Sequence, residues 1–192
     1  MKLIRNAFLI VAYSCLAIAC SEAPTPKPKS YPRINLPALS YKNVKVSTCN
    51  YSFDLADFAI LRNDPYPSGD ECWYNIHYPK FNATLHLSYR KINNRDDLFK
   101  VINDSREMVY KHVMRADEII ENYISKPQIH GIFYEIEGST ATNAQFFVTD
   151  STAHFLRGSL YFNQVTDADS IQPVLQFLKR DMLHVISTLG WN

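Results

Sequence analysis

The sequence predicts an α+β domain: an antiparallel β-sheet with helices packed against it. Three observations predict this class. Short alternating apolar runs occur in the stretch 51–91, and aromatic-rich runs separated by short polar links occupy 131–162. Apolar residues recur every three or four positions between those stretches and again near the end of the chain. The chain holds 12 Tyr and 11 Phe, and aromatic side chains of this kind favour strands. The order strands, helix, strands, helix gives α+β rather than a parallel α/β sheet.

The chain opens with Lys2 and Arg5 and then stays apolar from Ala7 to Ala19. These are the proportions of a secretory signal over 1–19, too short for the roughly 20 apolar residues of a spanning helix. Ala17, Ile18 and Ala19 lead directly into Cys20, and this run resembles the lipobox of bacterial lipoproteins. The resemblance implies cleavage before Cys20 and lipid attachment on its thiol. Two or three acyl chains hold firmly, because each buried methylene contributes about 0.8 kcal/mol. Residues 20–32 then read as a tether, since Pro24, Pro26, Pro28 and Pro32 favour extended geometry. Ser21 after the cysteine resembles the sorting signal for the outer membrane, with the domain facing the periplasm. A single domain is expected over 33–192.

Taking off residues 1–19 removes Lys2 and Arg5 and leaves 18 basic and 19 acidic residues. That balance carries none of the basic excess that nucleic-acid binding needs. Cys49 and Cys72 remain as a pair, and a disulfide is the default for an exported chain. The alternative is two separate buried thiols.

"YSFDLADFAIL" (51–61) places Tyr51, Phe53 and Leu55 on one strand face. "ECWYNIHYP" follows the turn-rich "NDPYPSGD", and in "ATLHLSYRK" Leu85, Leu87 and Tyr89 alternate with His86, Ser88 and Arg90. Three antiparallel strands are expected here. Asn93 or Asn94 caps the next helix, and Asp96 and Asp97 suit its first turn. Its stripe runs through Leu98, Ile102, Val109, Val113, Ala116, Ile120 and Ile124, with a possible division at 103–105 and an end at Pro127. "GIFYEIEG", "NAQFFVTD" and "HFLRGSLYF" read as strands, the last two as a hairpin around Ser151 and Thr152. A final helix, capped by Asp169 or Ser170 with Pro173 in its first turn, buries Ile171, Leu175, Leu178, Met182, Val185 and Leu189. Gly190 breaks it, and Trp191 covers the core edge. The element order is similar to that of PsbP-like domains.

Two clusters carry the candidate chemistry. "VTDSTAHFLRG" offers Asp150, Ser151, His154 and Arg157, but no GxSxG elbow exposes the serine. Turn residues and a strand-end histidine explain the same letters, and Arg157 is expected to pair with a sheet carboxylate or face a partner. In "YKHVMRAD", Lys111 and Arg115 share one helix face, with His112 beside Val109 and Ala116. A solvated or interface face is the simplest reading, and a phosphate or glycan site is the alternative. The remaining histidines, at 77, 86, 130 and 184, lack metal-ligand spacing, and no phosphate loop appears, so neither a metal nor a cofactor is expected.

Taken together, "CWYNIHYPKF", "NDSREMVYKHVMRADEI", "TDSTAHFLRGSLYF" and "DSIQPVLQFLKRDMLHVISTLGW" resemble the gliding motility lipoprotein GldD family over roughly 31–191. Cys49 and Cys72 fall where that family carries cysteines. The resemblance implies a lipid-anchored envelope component of gliding machinery associated with type 9 secretion. It brings no catalytic residues. The expected role is a non-catalytic scaffold or adaptor that binds other motility or secretion proteins, with Lys111, Arg115 and Arg157 as the candidate contact surface. An envelope hydrolase centred on Ser151 and His154, or a glycan-binding module, is the alternative.

Overall fold

Two antiparallel sheets share the described residues, which in this computed structural model are 34–63, 72–164 and 168–192. The signal, Cys20, the tether and most of the "NDPYPSGD" turn lie outside them. Residues 33–192 cluster as one compact unit. The strands are β1 (Tyr41–Val46), β2 (Tyr51–Ala56), β3 (Ile60–Asn63), β4 (Trp73–Tyr78), β5 (Ala83–Lys91), β6 (Ala116–Lys126), β7 (Ile129–Gly138), β8 (Ala144–Thr149), β9 (His154–Phe162) and β10 (Gly190–Trp191). The helices are α1 (Arg95–Tyr110) and α2 (Ala168–Thr188). A three-stranded sheet has the order β1-β2-β10, and a seven-stranded sheet has the order β3-β4-β5-β9-β8-β7-β6. The expected α+β class with antiparallel strands is the observed one.

The large sheet is apolar on both faces but not evenly so. On one face Leu85, Leu87, Phe146, Val148, Leu156 and Leu160 join a buried cluster with Tyr51, Phe53 and Leu55 of β2 and with Leu175, Leu178, Met182 and Val185 of α2. Period-2 alternation in β2 and β5 and 3.6-residue periodicity in α2 build this cluster, as their sequences predict. Lys179 Nζ reaches Glu135 Oε2 at 2.7 Å and fastens α2 to β7. On the other face, α1 lays Val101 and Val109 against Ile132, Tyr134, Ile136, Phe147 and Phe155. Asn94 caps α1: its side chain accepts from Asp97 N at 2.9 Å, while Asp97 Oδ2 accepts from Asn93 N at 3.3 Å. The first bond satisfies one of the orphan donors of the helix start, and the second ties the residue before the cap to the helix.

Several expectations are corrected. The predicted long helix stops at Tyr110, and 116–126 is the edge strand β6. A spacing of four is even, so Ile120 and Ile124 fit one strand face as readily as one helix face, while a register shift between Ala116 and Glu118 takes Ala116 to the opposite face. Their β-branched neighbours favour the strand. Asn103–Ser105 does not divide α1, because Ser105 is buried on its inner face. The single run 51–61 becomes two strands in different sheets, with Ala59 N bonded to Ala56 O at 3.0 Å in the link. β1 was not foreseen. Helix α2 begins at Ala168, so Asp169 and Ser170 lie inside it and Pro173 lies beyond its first turn. Gly190 ends the helix, but Gly190 and Trp191 then pair with Ser52 and Tyr51 of β2.

Candidate functional site

The β8–β9 hairpin forms where predicted, and its polar residues hold the turn. Asp150 Oδ1 accepts from the backbone of Thr152, Ala153 and His154, each at 2.9 Å, and its Oδ2 accepts from Thr152 Oγ1 at 2.6 Å. Burial pushes the Asp150 carboxyl up, but these hydrogen bonds together outweigh it and hold the pKa at about 2. Ser151 takes the left-handed conformation at φ 66° that the tight turn requires. His154 Nδ1 lies 2.8 Å from the Tyr89 hydroxyl, and its ring stacks on Trp191 at 5.1 Å. Among the described residues no hydrogen bond joins the Ser151 hydroxyl to His154. A serine nucleophile needs such a base in reach, and here acid and histidine are engaged elsewhere.

Cys49 and Cys72 are joined as a disulfide, with their Cα atoms 5.3 Å apart. The bridge ties the β1–β2 turn of the small sheet to the entrance of β4 in the large one. Thr48 Oγ1 and the Tyr74 hydroxyl meet beside it at 3.3 Å.

The cationic candidates are divided by the structure. Lys111 follows α1 directly and pairs with Glu107 at 3.2 Å, both side chains exposed. Arg115 lies in the turn between α1 and β6, not on a helix face, because backbone turns replace the helix after Tyr110. It lines a cleft of about 640 Å³ with Ser139, Thr140, Asn143, Tyr161 and His86. Arg157 projects from β9 into a cavity of about 330 Å³ between α1 and the large sheet. His86 lines both spaces. His112, half-buried just after α1, is held below its usual pKa by that partial burial and by the nearby Arg157 charge.

The cavity exists because α1 covers only part of its sheet face. Beyond it the face turns polar, and strand register sets the rows. Ser88 stands opposite Trp73 and Arg157, while His86 stands opposite Asn75 and Ser159. Ser159 in turn faces Gln145. The expected carboxylate partner of Arg157 is not there. Its Nη2 donates instead to Gln145 Oε1 at 2.6 Å, which also accepts from Ser159 Oγ at 3.2 Å. Among the described residues no carboxylate lies within 4.0 Å of Arg157. Burial lowers its pKa, and of its neighbours the Tyr161 hydroxyl favours the charged form. The α1 side supplies Asp104, Ser105 and Met108. Sequence reasoning missed Gln145, Trp73 and Asp104. Only the alternation of "HLSYR", which sets His86, Ser88 and Arg90 on one face, signalled this half of the sheet.

An antiparallel α+β domain preceded by a run that resembles a lipobox, with no catalytic relay assembled in its hairpin among the described residues, is the class these observations define. The family described as gliding motility lipoprotein GldD matches residues 21–191, and the chain belongs to that family. Membership makes it a gliding-motility lipoprotein of the cell envelope. No curated protein matches the sequence. Among solved structures, the solution structure of cyanobacterial PsbP (CyanoP) from Synechocystis sp. PCC 6803 is similar. The likeness covers 88% of this chain and 100% of that one, at 11% identity and a TM-score of 0.49. No helix among the described residues is long and apolar enough to cross a membrane.

Proposed function

We propose that the protein is anchored by lipid on Cys20 and acts as a non-catalytic adaptor in the gliding machinery, in association with type 9 secretion. Its domain stands in the periplasm, held to the outer membrane by the Pro-rich tether. The observation that carries this reading is the family match, which begins directly after Cys20. The engagement of Asp150 and His154 in turn and core contacts supports the non-catalytic part. A disulfide between the two sheets suits an exported domain that must keep its shape under load.

The contact surface is assigned to exposed Lys111 and to Arg115. Arg157 opens into the α1 cavity and contributes there rather than on the outer rim. Charge reversal at Lys111 and Arg115 abolishes movement without lowering protein level; normal movement in the double variant sinks the surface. Ser151→Ala leaves movement intact, whereas an enzyme built on that serine would stop. The anchor is read by metabolic acyl labelling. Wild type incorporates label and Cys20→Ala does not, and a labelled Cys20→Ala protein contradicts the assignment.

A further inference from the structure

The α1 cavity carries an inference that does not depend on the adaptor reading. Its volume of about 330 Å³ falls at the lower end of small-molecule sites. A guanidinium brings five donors, and Arg157 uses one of them, on the neutral Gln145. Removing a cation from water without a counter-charge is unfavourable, and a bound oxyanion would supply that charge. Arg90 lines the same cavity from β5, so its walls hold two guanidinium groups against one carboxylate, Asp104. Gln145, buried beside Arg157, has its Nε2 donor without a hydrogen-bond partner among the described residues. The rest of the wall suits a hydroxylated ring. Ser88, Ser105 and Asp104 offer hydroxyl and carboxylate groups, while Trp73 and Met108 offer apolar surface.

We propose that this cavity binds a small hydroxylated molecule bearing one oxyanion, a sugar acid or a sugar phosphate, with Arg157 holding the carboxylate or phosphate. Arg90 adds a second positive charge at the exposed end. Asp104 accepts from ligand hydroxyls and disfavours a second negative group.

The test is isothermal titration calorimetry of the full lipidated chain in detergent, at fixed ionic strength, with glucuronate, glucose 6-phosphate and neutral glucose as probes. The expected result is saturable one-to-one binding of at least one anion, at least tenfold tighter than glucose. Binding of glucuronate alone assigns the carboxylate, glucose 6-phosphate alone assigns the phosphate, and binding of both assigns an oxyanion site tolerant of either. Arg157→Gln weakens the anion at least tenfold and leaves the response to glucose unchanged. Because Arg157 also orders Gln145, Arg90→Gln is measured as well. That exposed substitution keeps the urea midpoint and weakens the anion about three- to tenfold. No heat from either anion overturns the proposal. So does glucose binding as tightly as they do, or affinity unchanged in Arg90→Gln.

Discussion

The Tyr78 hydroxyl donates to Asp181 Oδ2 at 2.6 Å, joining β4 to the middle of α2 inside the core. Asp181 is fully buried, and that burial raises its pKa above the usual 3.8; the Tyr78 hydrogen bond and the nearby His184 oppose the rise. Tyr78→Phe removes the donor while leaving the carboxyl buried. The expected cost is about 2 kcal/mol, read as a lower urea midpoint.

The same carboxyl sets a pH dependence. A raised folded pKa means that the native state binds the Asp181 proton more tightly than the unfolded chain does. Its contribution is therefore fully present below 3.8 and is lost as pH rises through the folded value. Asp181→Asn removes this titration. Urea midpoints at pH 4 and pH 7 should show the variant gaining on wild type at the higher pH. An unchanged difference contradicts the assignment.

Asp150 works in the opposite sense. Its pKa is depressed to about 2, so its stabilisation is present above 3.8 and disappears as pH falls toward 2. Asp150→Ala frees the backbone donors of 152–154 and costs about 1–2 kcal/mol at neutral pH, in the range of a lost cap. The deficit relative to wild type shrinks below pH 3, which circular dichroism melts at graded pH will show.

Reduction of Cys49–Cys72 opens a loop with a sequence separation of 23 residues. Loop-closure entropy for that length is about 3 kcal/mol. Equilibrium unfolding with and without reductant, or of the Cys49→Ser and Cys72→Ser double variant, should show a loss of this size.

Gly131 of β7 tolerates no side chain. A Cβ there would run into the Phe147 carbonyl of β8, which is backbone and cannot swing aside. Gly131→Ala should cost about 3 kcal/mol by overpacking, with a matching fall in the melting temperature.

How far the fold could be read depends on whether its signals were local. The β8–β9 hairpin was legible because two aromatic-rich runs flank the turn-forming DST segment. The apolar stripe of α2 was legible for the same reason. β6 was not, because its apolar spacings of four fit either period. The sheet switch at 57–59 carries no local signature: β2 and β3 part only because β2 finds β1 and β10 while β3 finds β4. The site follows the same rule. Arg157 and His154 could be singled out, but the Gln145 partner, the Tyr89 hydroxyl and the Trp191 ring come from distant strands. Register across β5, β9 and β8 had to be known first. Lys111 and Arg115 were mistaken for helix neighbours because the end of α1 after Tyr110 has no proline or glycine to mark it.

The central claim, that the domain is an adaptor, is tested most directly by photo-crosslinking in gliding cells. A photoreactive residue replaces Lys111 or Arg115 in the lipidated protein, and Lys42 on edge strand β1 serves as the control position. The account predicts that both test positions capture the same envelope protein of the motility or secretion machinery and that the control does not. Capture of nothing from positions 111 and 115, in cells that still glide, would contradict it.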